Sequence, residues 1–332
     1  MLKEIKMQKL KKPVVIFIFL CGGLLGFSNA SAKTHLRVGY LPILDHLILL
    51  VSHAQDNQTF KSIEIEPKLF KSWRGLEGAL RANVIDAAFI LSPLAMDLFN
   101  KGVDIKTILL AHRDGSAITV KSDSFIHSAI DLKGKAIAIP DRRATHTALL
   151  NVYLAKNANL SLKDVVTKVI APPDMLKAMQ LNRIDAFIVA EPFGSMSQDQ
   201  GVGKLLILTK DIVNNHVDCI VVIRQDKLRE NTVAIQEWIA SLIHAGKWID
   251  EDKLQNHSEQ VAQLTQKYLP HSERAIMSGL QNPNTRISFS DLNPDKADFQ
   301  IIVDISRQAE LIDTVDLDAF IEGQFYQNTL EK

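Results

Sequence analysis

The chain has 332 residues, of which 46% are hydrophobic and 23% are charged. That composition is typical of globular proteins, and the length suffices for about two domains. Lysine and arginine together number 38, as do aspartate and glutamate. The sequence therefore lacks the basic field of a nucleic-acid-binding protein, and we predict no nucleic-acid partner.

Residues 1–32 differ in character from the rest of the chain. Five lysines precede an apolar run at 14–25, and the small residues Ala30-Ser31-Ala32 follow it. This order predicts a secretory signal peptide that is cleaved after Ala32, because the apolar run is shorter than a membrane-spanning helix requires. An uncleaved membrane anchor is the alternative. The mature chain would keep one cysteine, Cys219, which we interpret as a small buried hydrophobic residue of an apolar run.

The next hundred residues alternate between strand and helix patterns. Residues 36–41 and 63–66 alternate in polarity, which predicts two strands. Trp73 precedes a predicted helix. The apolar runs Ala87–Leu91 and 105–111 then predict buried strands, joined by a helix near 94–100 in a βαβ unit.

A turn at 112–116 and an extended segment at 117–120 predict a first crossing into a second lobe. Strands near 136–139, 167–170, 186–189 and 204–208, with a helix at 148–156, would build that lobe, and 214–223 would return to the first. Three helical segments follow: 232–250, a helix with Asn293 as its N-cap and Pro294 at its first position, and 316–325. We expect them to brace the first lobe.

Two stretches, 73–93 and 174–192, repeat one pattern. Each has a helix, an Asn-containing turn, Ile-Asp-Ala, an apolar strand, and a polar residue followed by proline. The repeat predicts two α/β lobes built alike, with Asp86 and Asp185 as turn residues. Because ligands bind at the carboxyl ends of strands in open α/β sheets, Ser92 and Glu191 are predicted to face a common cleft.

The predicted fold is therefore α/β, with two lobes joined by two crossings. Lobe I comprises residues 33–115 and 217–332 with the C-terminal helices, and lobe II comprises 116–216. A ligand that touches both lobes would select a closed state.

Candidate ligand-binding residues lie at strand ends, helix starts and crossings. Trp73 has an indole N–H to donate, although a core tryptophan is an equal alternative. The stretch 142–146 joins a strand to a helix N-terminus, where backbone N–H groups favour anions, with Thr145 as a potential cap and His146 as a donor. The full predicted set is Asp45, His46, Trp73, Ser92, His112, Ser116, Arg143, Thr145, His146, Glu191 and His216.

Several of these residue types also bind metals. No pair among them has the spacing of a zinc motif, and we predict neither a metal nor a cofactor. A metal-binding protein remains an alternative.

Short motifs along most of residues 35–325 resemble one family. They are Gly39-Tyr-Leu-Pro42 with Asp45, Ser72-Trp73, Ile85-Asp-Ala-Ala88, Ser92-Pro93, Thr145-His146, Pro172-Pro173, Glu191-Pro192-Phe193 and Asn215-His216. In their order and spacing they resemble the periplasmic solute-binding proteins of ABC importers. The similarity is greatest to the nitrate/bicarbonate/sulfonate group, which also contains binders of thiamine-pyrimidine precursors.

The resemblance implies a type II periplasmic-binding-protein fold and a periplasmic monomer without catalytic activity. Such a receptor captures a small polar solute, such as nitrate, bicarbonate, a sulfonate or a carboxylate, and delivers it to an ABC permease in the inner membrane. In nitrate and bicarbonate binders a tryptophan like Trp73 and a histidine like His146 serve the ligand site. Their Glu-Pro-Trp element is Glu191-Pro192-Phe193 here, so one indole donor is missing.

Two other classes stay open. Pyrimidine-synthesising enzymes share this fold, but their clustered cysteine motif is absent here, as are a Gly-x-Ser-x-Gly motif and a phosphate loop. A sensor that passes the binding event to a receptor is the third reading.

Overall fold

A computed structural model describes residues 33–331. The predicted signal peptide lies outside the described residues and stays a prediction. From Lys33 onward the chain forms one compact unit. Among the residues described, none of the helices combines the length and the apolar character that a membrane span requires.

Twelve strands and thirteen α-helices are assigned in this part of the chain. The strands are β1 (Thr34–Tyr40), β2 (Ile63–Leu69), β3 (Ala87–Leu91), β4 (Ile105–Leu110), β5 (Arg113–Asp114), β6 (Ser116–Lys121), β7 (Ala136–Ile139), β8 (Val166–Val169), β9 (Ala186–Ala190), β10 (Gly203–Leu208), β11 (Cys219–Arg224) and β12 (Ile287–Ser288). The helices are α1 (Leu47–Asp56), α2 (Trp73–Arg81), α3 (Ser92–Asn100), α4 (Thr145–Ala158), α5 (Pro172–Gln180), α6 (Phe193–Asp199), α7 (Gln225–Glu230), α8 (Thr232–Gln255), α9 (Glu259–Thr265), α10 (Glu273–Gln281), α11 (Lys296–Gln308), α12 (Leu317–Phe320) and α13 (Gln324–Leu330). Short 3-10 helices lie at Leu44–His46, Ala129–Leu132, Leu162–Asp164 and Thr209–Asp211.

Two five-stranded sheets share one strand order. The first sheet runs β2-β1-β3-β11-β4 and the second runs β8-β7-β9-β6-β10. In each sheet the first three strands are parallel and the fourth is antiparallel to its neighbours. The fourth strand of each sheet follows a crossing between the sheets. The chain passes from the first sheet to the second before β6 and returns to the first sheet before β11. The predicted α/β class is confirmed, and the exact lobe boundaries stay a prediction.

The repeated stretches occupy equivalent places in the two sheets, which confirms their interpretation as two copies of one unit. Helix α2 leads into β3, and α5 leads into β9. The turns between them place Asn83 at a φ of 58° and Asn182 at 53°, a left-handed conformation that asparagine tolerates better than most residues. Strands β3 and β9 are buried along their whole length.

The aspartates of the two Ile-Asp-Ala turns hold the neighbouring strand. Asp86 accepts the backbone N–H of Arg37 at 2.9 Å, and Asp185 accepts that of Ala136 at 2.8 Å. Each carboxylate thus satisfies a backbone donor next to a parallel strand. Both aspartates lie in the turns before β3 and β9, as predicted.

The C-terminal helices differ from the prediction in three respects. Asp295, not Asn293, caps α11, because its carboxylate accepts the Ala297 N–H at 2.8 Å. The single helix predicted at 316–325 is two helices, because Ile321 is extended and bridges to Thr107 of β4. Helix α11 also does not brace the first sheet alone, because it contacts α3 of the first half and α4 of the second.

Candidate functional site

The first sheet presents polar side chains where its strands end. Asp45 and His46 lie in the 3-10 helix that follows β1, Trp73 is the first residue of α2, and Ser92 is the first residue of α3. All four are buried. The imidazole of His46 packs edge-on against the Trp73 indole, with 5.8 Å between ring centroids.

The second sheet presents an equivalent set. Ser116 begins β6, and Thr145 and His146 form the start of α4. Thr145 was predicted to cap this helix, but the N-cap residue is Ala144, which has no side-chain acceptor. The Thr145 hydroxyl instead lies 3.5 Å from that of Ser92. The two helix starts, one from each sheet, therefore meet.

A short hydrogen-bond chain links the second sheet to the returning crossing. The Ser116 hydroxyl donates to Asp218 Oδ2 at 3.2 Å, and its oxygen is 2.8 Å from His146 Nε2. Asp218 immediately precedes β11 and is fully buried. It was missing from the predicted set, because its proximity to Ser116 depends on β11 entering the first sheet beside β3.

His112 forms a second buried group with Asp45 and Cys219. His112 Nε2 lies 3.2 Å from Asp45 Oδ2, and Cys219 Sγ lies 3.8 Å from the same oxygen. Cys219 is buried, as predicted for a small hydrophobic residue, yet its sulfur faces polar neighbours. These groups adjoin through the consecutive residues Asp45-His46, Thr145-His146 and Asp218-Cys219. We call them together the polar cluster, defined by Asp45, His46, Trp73, Ser92, His112, Ser116, Thr145, His146, Asp218 and Cys219.

Burial keeps two imidazoles of this polar cluster neutral. It lowers the pKa of His46 well below its usual value, with a further contribution from His112, and it lowers the pKa of His146 against the opposing carboxylate of Asp218. Leu41 N–H donates to His46 Nδ1 at 2.9 Å, so the ring proton of neutral His46 is on Nε2. Because Ser116 donates to Asp218, its oxygen accepts the Nε2 proton of His146, and His146 Nδ1 is an acceptor. The role of His146 as a donor to an anion stays a prediction.

The pKa values of the Asp45 carboxyl, the His112 imidazole and the Cys219 thiol are all raised. Burial raises the pKa of Asp45, and His112 opposes that shift. Burial also disfavours the charged form of His112, but the Asp45 carboxylate outweighs it and raises the pKa of that imidazole. Burial raises the pKa of the Cys219 thiol well above its usual value. Cys219 is therefore not an activated nucleophile.

Buried polar atoms without a hydrogen-bond partner concentrate here. Among the described residues, seven of the thirteen such atoms belong to the polar cluster or to the adjoining His216: Asp45 Oδ1, His46 Nε2, Trp73 Nε1, His112 Nδ1, His146 Nδ1, His216 Nε2 and Asp218 Oδ1. Buried polar groups are normally paired, and an exception calls for an explanation such as a bound ligand or ion. A single unpaired atom is weaker evidence for a binding site than a concentration of them, since Trp238 in α8 also has an unpaired indole N–H.

Three of the predicted ligand residues have structural partners. Arg143 contacts Glu77 of α2, Asp97 of α3 and Asp141, so its guanidinium is already surrounded by three carboxylates and is not free for an anion. Glu191 forms a buried ion pair with Arg286. His216 Nδ1 is 2.8 Å from Asp114 Oδ1, which holds the two crossings together. Arg286 lies far along the chain, and no sequence signal pointed to it.

Two sheets of one strand order, with a polar cluster between their helix starts and crossings, define the fold of the periplasmic binding proteins. The chain belongs to the NMT1-like family, whose model matches residues 29–265. It is similar to the nitrate/nitrite binding protein NrtA of Nostoc sp. PCC 7120, with 25% identity over 248 residues, 68% of this chain and 56% of that protein. The chain spans about half the length of the curated relatives it matches.

Solved structures show the same fold. A zinc-bound ligand-binding component of an ABC-type import system from Staphylococcus aureus superimposes with a TM-score of 0.80 at 24% identity, over 90% of this chain and 99% of that one. The periplasmic nitrate-binding protein NrtA of Synechocystis PCC 6803 gives a TM-score of 0.81 at 18% identity, over 91% and 90%. The fold also occurs in an enzyme, the desulfurization enzyme DSZB, with a TM-score of 0.65 at 16% identity over 90% and 99%.

Proposed function

We propose that this protein is a periplasmic receptor that captures a small polar solute and delivers it to an ABC permease. The observation that carries the proposal is the concentration of unpaired buried polar atoms between two sheets. A solute held there would touch both halves of the molecule and favour its closed state. Family membership supports the same class of protein.

The unpaired atoms suggest the chemistry of the solute. His46 Nε2–H and Trp73 Nε1–H are donors without acceptors, and they belong to packed neighbouring rings. Asp45 Oδ1, Asp218 Oδ1 and His146 Nδ1 are acceptors without donors. A solute with acceptor oxygens at one end and a donor at the other would pair with both sets. Bicarbonate and an aminosulfonate have such a donor, whereas nitrate has none.

The arrangement of Ser116, His146 and Asp218 argues against hydrolytic catalysis. In a catalytic triad the acid holds the histidine nitrogen that faces away from the nucleophile. Here Asp218 accepts from the serine hydroxyl itself, and His146 Nδ1 is unpaired. The serine proton is therefore directed to the carboxylate and not to a base that an acid orients. We propose that the solute is released unchanged.

A thermal-shift screen of residues 33–332 tests this function. Nitrate, bicarbonate, an alkanesulfonate, an aminosulfonate, a phosphonate and a pyrimidine would each be titrated. A bound solute at a hundred times its Kd stabilises the fold by about 2.7 kcal/mol, and we expect solutes with both donors and acceptors to exceed nitrate. His146→Gln should lose the shift, and His127→Gln at an exposed turn should keep it. Consumption of the solute, or no shift with any of them, would contradict the proposal.

A further inference from the structure

Three metal-binding side chains from separate parts of the chain converge in the core. Asp45 follows β1, His112 follows β4, and Cys219 begins β11. One ligand atom from each lies within 4.8 Å of the others, and all three residues are fully buried. No short sequence spacing joins them, because the sheet order brings them together.

The spacing of these atoms suits a small tetrahedral ion. Zinc bonds of about 2.0 Å to nitrogen or oxygen and about 2.3 Å to sulfur separate neighbouring ligand atoms by roughly 3.3–3.7 Å. Asp45 Oδ2 is 3.2 Å from His112 Nε2 and 3.8 Å from Cys219 Sγ. Small side-chain adjustments would therefore complete the geometry.

The hydrogen bonds around His112 leave a place for a cation. His112 Nε2 lies 3.2 Å from the Cys219 backbone nitrogen and 3.2 Å from Asp45 Oδ2, so this ring nitrogen faces the group. His112 Nε2 and the Asp45 carboxylate thus face each other inside the core. Such a pair is costly without a proton or a metal between them. The second oxygen of Asp45 and one oxygen of Asp218 have no partner either.

We propose that Asp45, His112 and Cys219 bind a divalent transition-metal ion, with zinc the best fit to the donor set. A carboxylate, an imidazole and a thiolate are ligands that zinc accepts, whereas magnesium and calcium bind oxygen ligands and are not suited by the imidazole and the thiolate. Three protein ligands leave the fourth position open, where a solute atom could bind. The site thereby goes beyond solute capture by hydrogen bonds alone.

The test is metal titration of residues 33–332, in which Cys219 is the single cysteine. After chelation and removal of the chelator, Zn²⁺ would be titrated by calorimetry, and Co²⁺ by its thiolate-to-metal absorption band. We expect one equivalent to bind, with the cobalt band present in the wild-type protein. Cys219→Ser and His112→Gln should weaken affinity by more than ~100-fold, beyond the loss typical of outer-shell changes. His127→Gln is the matched control and should bind as the wild type does.

Two results would overturn the site: no stoichiometric binding, or binding that both variants retain. If Cys219→Ser fails to fold, as judged by its metal-free melting curve, the wild-type cobalt band decides, because its absence rules out the thiolate. Repeating the solute screen with chelator separates this inference from the proposed function. Thermal shifts with a solute but no metal binding would support the receptor function and refute the metal site. Metal binding without a thermal shift for any solute would support the metal site and contradict the receptor function.

Discussion

Glu191 at the end of β9 and Arg286 before β12 form an ion pair in which both side chains are buried, at 0% and 1% exposure. Arg286 also donates to the Ser195 hydroxyl at 2.8 Å, and Glu191 Oε2 accepts the Ser195 N–H at 3.0 Å. The backbone oxygen of Glu191 accepts the N–H of Leu44 at 2.8 Å. This pair therefore ties the second sheet to the segment after β1 and to the C-terminal region.

Removing one partner of this pair should destabilise the fold. Arg286→Leu leaves the Glu191 carboxylate buried without its cation, and we expect a loss of about 3–5 kcal/mol in the free energy of unfolding. Urea denaturation measures it. The matched control is Arg274→Leu, which removes an 82% exposed side chain at 3.7 Å from Asp199 and should cost less than about 0.5 kcal/mol. Equal losses in the two variants would contradict a structural role for the buried pair.

Arg143 should stabilise the approach of the two sheets. Its guanidinium, 23% exposed, joins Glu77 and Asp97 of the first sheet's helices to Asp141 of the second. Arg143→Gln leaves three carboxylates close together, and we expect a cost of about 1–2 kcal/mol after allowance for solvent. If the lost contacts destabilise the closed state by that amount relative to the open state, solute affinity falls by roughly 5–30-fold. Small-angle scattering should show a larger radius of gyration.

The neighbouring arginine provides the control for that variant. Arg142 is exposed, so Arg142→Gln should change neither affinity nor scattering. An unaltered Arg143→Gln protein, or the same change in both variants, would show that the carboxylate contacts do not hold the sheets together.

Trp73→Phe should separate binding from stability. The substitution keeps an aromatic ring against His46 and removes an indole N–H that has no protein partner. We expect solute affinity to fall roughly 3–10-fold, the value of one hydrogen bond. Because Trp73 is buried, the smaller ring also lowers the melting temperature of the solute-free protein, but by no more than Trp238→Phe does. Trp238→Phe removes an unpaired indole N–H from α8 and should leave affinity intact. Loss of affinity in both variants would point to a general packing effect.

The pair Arg37–Asp86 should make stability depend on pH in the acid range. Burial of Asp86 disfavours its charge, but hydrogen bonds from the Arg37 side chain and backbone outweigh this and lower the pKa of that carboxyl. A pKa that folding lowers adds stability above the unfolded pKa, about 3.9, and this stability is lost as the pH falls through the folded pKa. Asp86→Asn should therefore cost about 1–2 kcal/mol at pH 7 and much less near pH 3.

The control for this effect is the equivalent residue of the second copy. Asp185 accepts the Ala136 N–H but has no arginine partner among the residues described. Asp185→Asn should therefore cost less at pH 7 than Asp86→Asn, by urea denaturation at both pH values. Identical pH profiles for the two variants would mean that the arginine does not matter.

The amino-acid sequence by itself determined the local units of this protein. The repeated helix, asparagine turn and strand at 73–93 and 174–192 could be predicted because periodicity and turn chemistry act within a few residues. The same locality placed Asp45, His46, Ser92 and Thr145 at strand ends and helix starts. The start of α11 and the end of α12 could not be predicted. The Asp295 carboxylate caps α11 in place of Asn293, and the bridge between Ile321 and Thr107 of β4 ends α12.

Only the tertiary structure decided which of those residues meet. Asp218 and Cys219 reach Ser116, His112 and Asp45 because β11 pairs with β3 and β4, and the sequence does not reveal strand order. Arg143 and Glu191 are charged residues of the kind that line binding sites, but each pairs with an oppositely charged side chain from a distant segment of the chain. A charge that is taken out of water needs a partner, and which partner is available is set by packing across the whole chain.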